Sequence, residues 1–183
     1  MLMPEITNPV IQKLELLMLG WGFNFYRAEN RLRADDLLVR QKICVPLGHG
    51  VEKLGTLAME FQTHWMPAPT REQPYPPAEL TGILRELNAL RSGISAAAAY
   101  IQGLPAPAED RIWRRFRDER TLMEQLLGAD LRMLQLSADI ESSVEKIVLA
   151  ELKKPESLRP VVLALDNLKN ACRDRQKLLE IQA

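Results

Sequence analysis

The chain has 183 residues, of which 46% are hydrophobic and 26% are charged. This composition is too apolar for a disordered protein, and the length suits one domain or one domain with a small appendage. The 24 Lys and Arg side chains equal the 24 Asp and Glu side chains in number, and the balance also holds on each side of residue 66. A general attraction to nucleic acid or to anionic lipid is therefore not expected.

Three features of the sequence predict the location of the protein. The only cysteines, Cys44 and Cys172, are far apart, which is no disulfide framework and suits a reducing compartment. No apolar run approaches the roughly 20 uninterrupted residues that cross a bilayer, and the first residues lack the order of a signal peptide. We expect a cytoplasmic protein that does not enter a membrane.

The first 66 residues predict three short helices. Asn8-Pro9 is a typical helix start, and apolar residues follow at spacings of three and four. A second helix runs through residues 25–43, and Pro46 with the following Leu-Gly-His-Gly is expected to end it. A third helix is predicted from about Val51 to Trp65.

Residues 67–77 contain five of the twelve prolines, which predicts an extended linker of polyproline type. Residues 78–183 then predict three longer helices, the second running from Pro107 to Lys154 with a kink at Gly128. The sequence thus predicts an all-α fold, an antiparallel helical bundle with long coiled-coil-like helices. The predicted units are residues 1–66, the linker 67–77 and a three-helix bundle at 78–183.

One candidate site for a metal ion surrounds the two histidines of the chain. Cys44, His49 and His64 are acceptable ligands, but no repeated Cys or His spacing accompanies them. The simpler interpretation places His49 in a tight turn that leads into a helix. No cofactor is predicted.

A candidate nucleic-acid surface lies in residues 111–120, where arginines surround two aromatic residues. Arginine interleaved with aromatic residues can bind phosphates and stack on bases. Acidic residues stand among these arginines at helical spacing, however, which is equally typical of a solvated helix face. The arginines are Arg111, Arg114, Arg115, Arg117 and Arg120.

Candidate partner-binding residues come from two observations. Phe23 and Tyr26 belong to an aromatic segment but do not continue its apolar stripe, so they are candidates for contact with a protein partner. Asp36 falls on an apolar stripe, where a carboxylate needs a counter-charge. Either Arg40, four residues later, supplies it, or Asp36 faces a cation on another helix or on a partner.

No nucleophile with a base at a recognisable spacing is present, so a non-enzymatic function is expected. The sequence favours an interaction or accessory protein, a scaffold or adaptor that works through helix faces with a protein partner or with itself. A nucleic-acid-binding subunit that uses residues 111–120 is the main alternative, although the net charge does not support it. A metal-binding protein that uses Cys44, His49 and His64 is the second alternative.

Overall fold

The computed structural model describes the backbone of residues 31–104, 119–154 and 156–180, and the side chains of residues 38–104, 125–154 and 156–178. These ranges contain four α-helices and no strand, which confirms the predicted all-α helical bundle. The helices are α1 (Arg31–Trp65), α2 (Ala78–Gln102), α3 (Glu119–Glu145) and α4 (Arg159–Glu180), and a short 3-10 helix (Leu149–Glu151) lies between α3 and α4.

The four helices form a ring in which α1 contacts α2 and α3, and α4 contacts α3 and α2. Helices α1 and α2 are antiparallel, as are α3 and α4, whereas α2 and α4 run in the same direction. These directions follow from the contact pairs Cys44–Ala98 and Gly55–Arg91, Asp130–Arg175 and Met133–Cys172, and Gly93–Leu165 and Tyr100–Gln176.

One hydrophobic core runs through the whole ring. Each helix contributes fully buried aliphatic or aromatic side chains, and within a helix they are four or seven residues apart, the period of one helix face. The largest of these are Ile43, Leu47, Leu54 and Phe61 in α1, Leu87, Ile94 and Ile101 in α2, Met133, Ile140 and Val144 in α3, and Leu168 in α4.

The structure corrects the predicted break at residues 46–50, because α1 continues through them without interruption. Pro46 removes one backbone donor, a defect that costs roughly 3 kcal/mol in a helix interior. Core burial on both sides of it, by Ile43, Leu47 and Leu54, opposes that cost. Gly50 faces α3, and a Cβ at this position would lie 3.9 Å from Cγ2 of Ile140 and 3.8 Å from Cγ2 of Val144, an ordinary van der Waals distance.

The predicted long helix of residues 107–154 is also corrected at its end, because α3 stops at Glu145. Val148 is extended, with φ −103° and ψ 134°, and the chain then turns. This departure from the helix brings Ile147, Leu152 and Leu158 into the core, where a straight rod would carry them past the end of α4. Gly128 remains helical and does not break α3.

The proline-rich residues 67–77 connect α1 to α2 and contain no helix. The division into 1–66, 67–77 and 78–183 stays a prediction. The structure adds that α1 buries its apolar face against α2 and α3. Helix α1 precedes the linker in the sequence, and α2 and α3 follow it. Across the described ranges, none of the helices combines the length and apolar character that a bilayer crossing demands.

Candidate functional site

The most buried charged side chain of the described residues, Arg175 of α4, forms an ion pair with the buried Asp130 of α3. Nε of Arg175 donates to Oδ1 of Asp130 at 2.6 Å, and the two side chains are 1% and 8% exposed. Burial on this scale is costly for either charge alone, so the two must be paired to stay inside the bundle. The ion pair therefore fixes the register of α3 against α4.

The Cys172 thiol lies near this ion pair, and the Cys44 thiol of α1 lies near Cys172. Cys172, one turn before Arg175, places Sγ 3.6 Å from Sδ of Met133, and its burial raises the pKa of the thiol to about 11. Burial also raises the pKa of the half-buried Cys44 thiol, whose Sγ lies 3.5 Å from the carbonyl oxygen of Ala98. Both thiols are consequently protonated near neutral pH, the unreactive state of cysteine.

Arg40 is placed by the structure in the interior of the bundle. It is 6% exposed, and its Nη1 donates to the carbonyl oxygens of Gln102, at 3.3 Å, and Leu104. These carbonyls end α2, where unpaired acceptors and the negative end of the helix dipole favour a cation. Arg40 thus ties the first half of α1 to the carboxyl end of α2.

The three metal-ligand candidates are not brought together. They lie on one continuous helix, and at about 1.5 Å per residue His64 stands about 22 Å along the axis from His49. Nδ1 of His49 lies 2.6 Å from Oε1 of Glu141, whereas Nδ1 of His64 lies 2.9 Å from the carbonyl oxygen of Glu60. A single ion cannot be shared by Cys44, His49 and His64 in this arrangement.

Several other predicted site residues lie outside the described part of the chain. They are Phe23, Tyr26, the side chain of Asp36, Arg111, Arg114, Arg115, Arg117 and the side chain of Arg120. Their proposed contacts stay predictions.

The surface of α1 opposite its buried face carries aligned apolar side chains. Leu38, Val45 and Met59 are 51%, 50% and 64% exposed and share a seven-residue spacing with Glu52. At 100° per residue these positions fall directly opposite the core residues of the same helix. We define the outer face of α1 as Leu38, Gln41, Val45, Gly48, Glu52, Thr56, Met59 and Thr63, all of which are exposed.

The outer face differs from an ordinary solvated helix surface by its lack of charge. Glu52 is its one residue that is charged near neutral pH, whereas 26% of the whole chain is charged. Isolated exposed apolar residues are common on protein surfaces, so the alignment of three on an almost uncharged strip is the informative feature. Lys42, Lys53 and Glu60 lie along the edge of this strip that faces α3.

Sequence reasoning missed the ion pair, although a signal for it was present. Asp130 follows Leu126 by four residues and precedes Met133 by three, so it occupies a core position of α3. Arg175 likewise follows Leu168 and Cys172 on the apolar stripe of α4. Opposite charges on the apolar stripes of two neighbouring helices indicate a buried pair, by the same argument that drew attention to Asp36.

Comparisons with protein-family models, with curated proteins and with solved structures found no match to this chain.

Proposed function

We propose that this protein is a non-enzymatic interaction or accessory protein, a scaffold or adaptor within a larger complex, and that it binds its partner through the outer face of α1. The observation that carries the proposal is the row of Leu38, Val45 and Met59, which stays exposed on the side of α1 away from the core. An apolar helix face of this kind is buried when a second helix lies along it.

The charges beside the outer face supply specificity in this proposal. Lys42, Lys53 and Glu60 border one edge, and Glu52 interrupts the apolar row in the middle. A partner must place an acidic residue near the lysines and a donor near Glu52, because mismatched charges at an interface cost more than matched ones contribute. Burial of the apolar row supplies affinity, and the charges set the register.

A cytoplasmic location belongs to the same proposal. Cys44 and Cys172 are both free thiols, on separate helices, and free buried thiols persist most readily in a reducing compartment. The contacts of the arginines in residues 111–120 stay predictions, and the metal-ligand candidates are spread along α1.

Mass measurement of the native complex, isolated from the source organism without an affinity tag, tests the proposal. We expect the wild-type chain to be recovered with a bound protein. A variant with Leu38→Lys, Val45→Lys and Met59→Lys should be recovered without it. Val162→Lys with Leu163→Lys, on exposed apolar positions of α4, is the matched control and should keep the partner.

Recovery of the wild-type chain solely as a free monomer would contradict the interaction proposal. The salt dependence of binding distinguishes the nucleic-acid alternative from the proposed interface. Binding through phosphate contacts weakens steeply as the salt concentration rises, whereas binding through an apolar helix interface does not. One stoichiometric metal ion that is lost in a His64→Ala variant would instead favour the metal-binding alternative.

A further inference from the structure

The only two cysteines of the chain lie near each other inside the bundle, although they are far apart in sequence. Cys44 is on α1, and its Sγ lies 3.5 Å from the carbonyl oxygen of Ala98 on α2. Helices α2 and α4 run in the same direction, and their contacts place Ala98 at about the height of Cys172. The two thiols therefore lie at one level, on helices at opposite corners of the ring.

Met133 of α3 adds a third sulfur atom at this level. Its Sδ lies 3.6 Å from Sγ of Cys172, and the two side chains are 0% and 2% exposed. Cys44 is only half-buried, so it connects this group of sulfur atoms to the surface between α1 and α2. We define the sulfur cluster as Cys44, Met133 and Cys172, which come from three different helices.

The chemistry of the sulfur cluster selects one class of ligand. Thiolate and thioether groups are soft ligands that favour Cu(I), whereas Mg²⁺ and Ca²⁺ prefer oxygen. With metal–sulfur bonds of roughly 2.3 Å, two sulfur atoms on one ion lie roughly 3.8–4.0 Å apart at tetrahedral or trigonal angles. The separation of 3.6 Å between the sulfur atoms of Met133 and Cys172 is close to this spacing.

The position of both cysteines distinguishes a metal site from ordinary packing. Sulfur atoms in a core often touch, so the contact between Met133 and Cys172 by itself indicates only packing. Packing does not require, however, that the one other cysteine of the chain reach the same level from a third helix. A disulfide does not account for Met133, and helices at opposite corners of the ring are far apart for a bond whose Cα atoms lie within about 7 Å.

We propose that the sulfur cluster binds one Cu(I) ion through the thiolates of Cys44 and Cys172 and the thioether of Met133. Cys44 turns its thiol from the Ala98 carbonyl toward the core to complete the ligand set. Binding forms three copper–sulfur bonds and releases the two thiol protons to water, and copper stays in the +1 state throughout. The ion joins α1, α3 and α4. This site is separate from the outer face of α1 and goes beyond the proposed interaction function.

The test is a titration of the reduced full chain with Cu(I) in the absence of oxygen, with a coloured Cu(I)-selective chelator as competitor. We expect one equivalent of Cu(I) to bind per chain, with ultraviolet absorbance from charge transfer between thiolate and Cu(I). Cys44→Ala and Cys172→Ala should each weaken binding by about 100-fold or more, beyond what the loss of a group outside the ligand set typically costs. Met133→Leu, which nearly conserves volume, should weaken it by about tenfold.

Met59→Leu is the matched control, because it removes a thioether from the outer face of α1, away from the sulfur cluster. This variant should bind Cu(I) with the wild-type affinity, as should His49→Ala and His64→Ala. Unchanged circular dichroism must accompany each variant. Equal affinity of the wild-type chain and Cys172→Ala would overturn the proposal, as would equal weakening by Met59→Leu and Met133→Leu.

X-ray absorption spectroscopy of the Cu(I)-loaded wild-type chain gives a readout that does not depend on the folding of any variant. We expect three sulfur ligands around copper, and nitrogen ligands would point to the histidines of α1 and contradict the sulfur site. The variant with Leu38→Lys, Val45→Lys and Met59→Lys separates the two proposals. It should lose its protein partner and still bind Cu(I) with the wild-type affinity.

Discussion

At the scale of single residues, we expect substitutions in the ion pair between Asp130 and Arg175 to change the free energy of unfolding most strongly. Both charged side chains are buried away from water, and their mutual attraction offsets the cost of burying them. We therefore expect the pair to contribute more to fixing one arrangement of α3 and α4 than to net stability.

Removal of one partner of the ion pair should cost far more than removal of both. Arg175→Met removes the buried counter-charge of the Asp130 carboxylate, and we expect the free energy of unfolding to fall by about 3–5 kcal/mol. The double variant Asp130→Leu with Arg175→Met should recover most of this loss. Urea unfolding of the two single variants and the double variant measures both effects, and an additive cycle would contradict the predicted coupling.

The burial of Cys172 should be measurable from the pH at which its thiol loses its proton. The burial that raises its pKa to about 11, from an ordinary value of 9.0, favours the neutral thiol in the folded state. The stability that depends on the neutral thiol is therefore complete below pH 9 and is lost as the pH rises from 9 toward 11. In a Cys44→Ala variant, thiolate ultraviolet absorbance should develop near pH 11, and development near pH 9 would show that Cys172 is open to water.

At the scale of secondary-structure elements, α1 shows tertiary packing that outweighs local helix-breaking signals. Pro46, Gly48 and Gly50 predict a turn by their residue types, yet no described glycine has a positive φ and the helix continues. The two glycines have different surroundings: a Cβ at Gly48 would meet no atom within 4 Å, whereas one at Gly50 would lie 3.8 Å from Cγ2 of Val144.

These two glycines give a matched pair of substitutions two residues apart on one helix. Gly48→Ala should raise the free energy of unfolding by about 0.5–1 kcal/mol, because alanine restricts the unfolded chain and fits the open side of the helix. Gly50→Leu should lower it by about 1–3 kcal/mol by crowding α3. Thermal unfolding measures both, and destabilisation by Gly48→Ala would indicate a turn at this position.

At the scale of the whole molecule, helices from both sides of the proline-rich linker share one core. Ile140 and Val144 of α3 lie against Gly50 of α1, and residues from Val39 to Cys172 belong to one cluster of buried apolar side chains. Removal of α1 would open this cluster to water along α2 and α3 together.

We therefore expect the full chain to unfold in a single cooperative transition and a fragment of residues 67–183 to lose that cooperativity. The reason is that the fragment exposes the apolar faces that α1 covers, and burial of such surface is the main stabilising term in a bundle of this size. Urea unfolding followed by circular dichroism measures both proteins. A fragment with the same midpoint as the full chain would instead support residues 78–183 as an independent domain.

The candidate sites were predictable only in part. The spacing of exposed Leu38, Val45 and Met59 is visible in the sequence, but whether a given face of α1 is core or surface depends on which face its neighbours cover. The metal-ligand candidates were grouped because they are near one another along the chain, and the structure places them on one continuous helix, where His49 and His64 are far apart along the axis.

The sequence by itself determined the all-α class, the position of the proline-rich linker and most of the buried stripes, because helical period and proline act over a few neighbouring residues. Only the tertiary structure decided that α1 is continuous and that Asp130 forms an ion pair with Arg175. It also decided that the buried Arg40 donates hydrogen bonds to the carbonyl groups at the end of α2. Each of these depends on groups at least 45 residues apart in sequence, and their free energy arises only when the helices are packed.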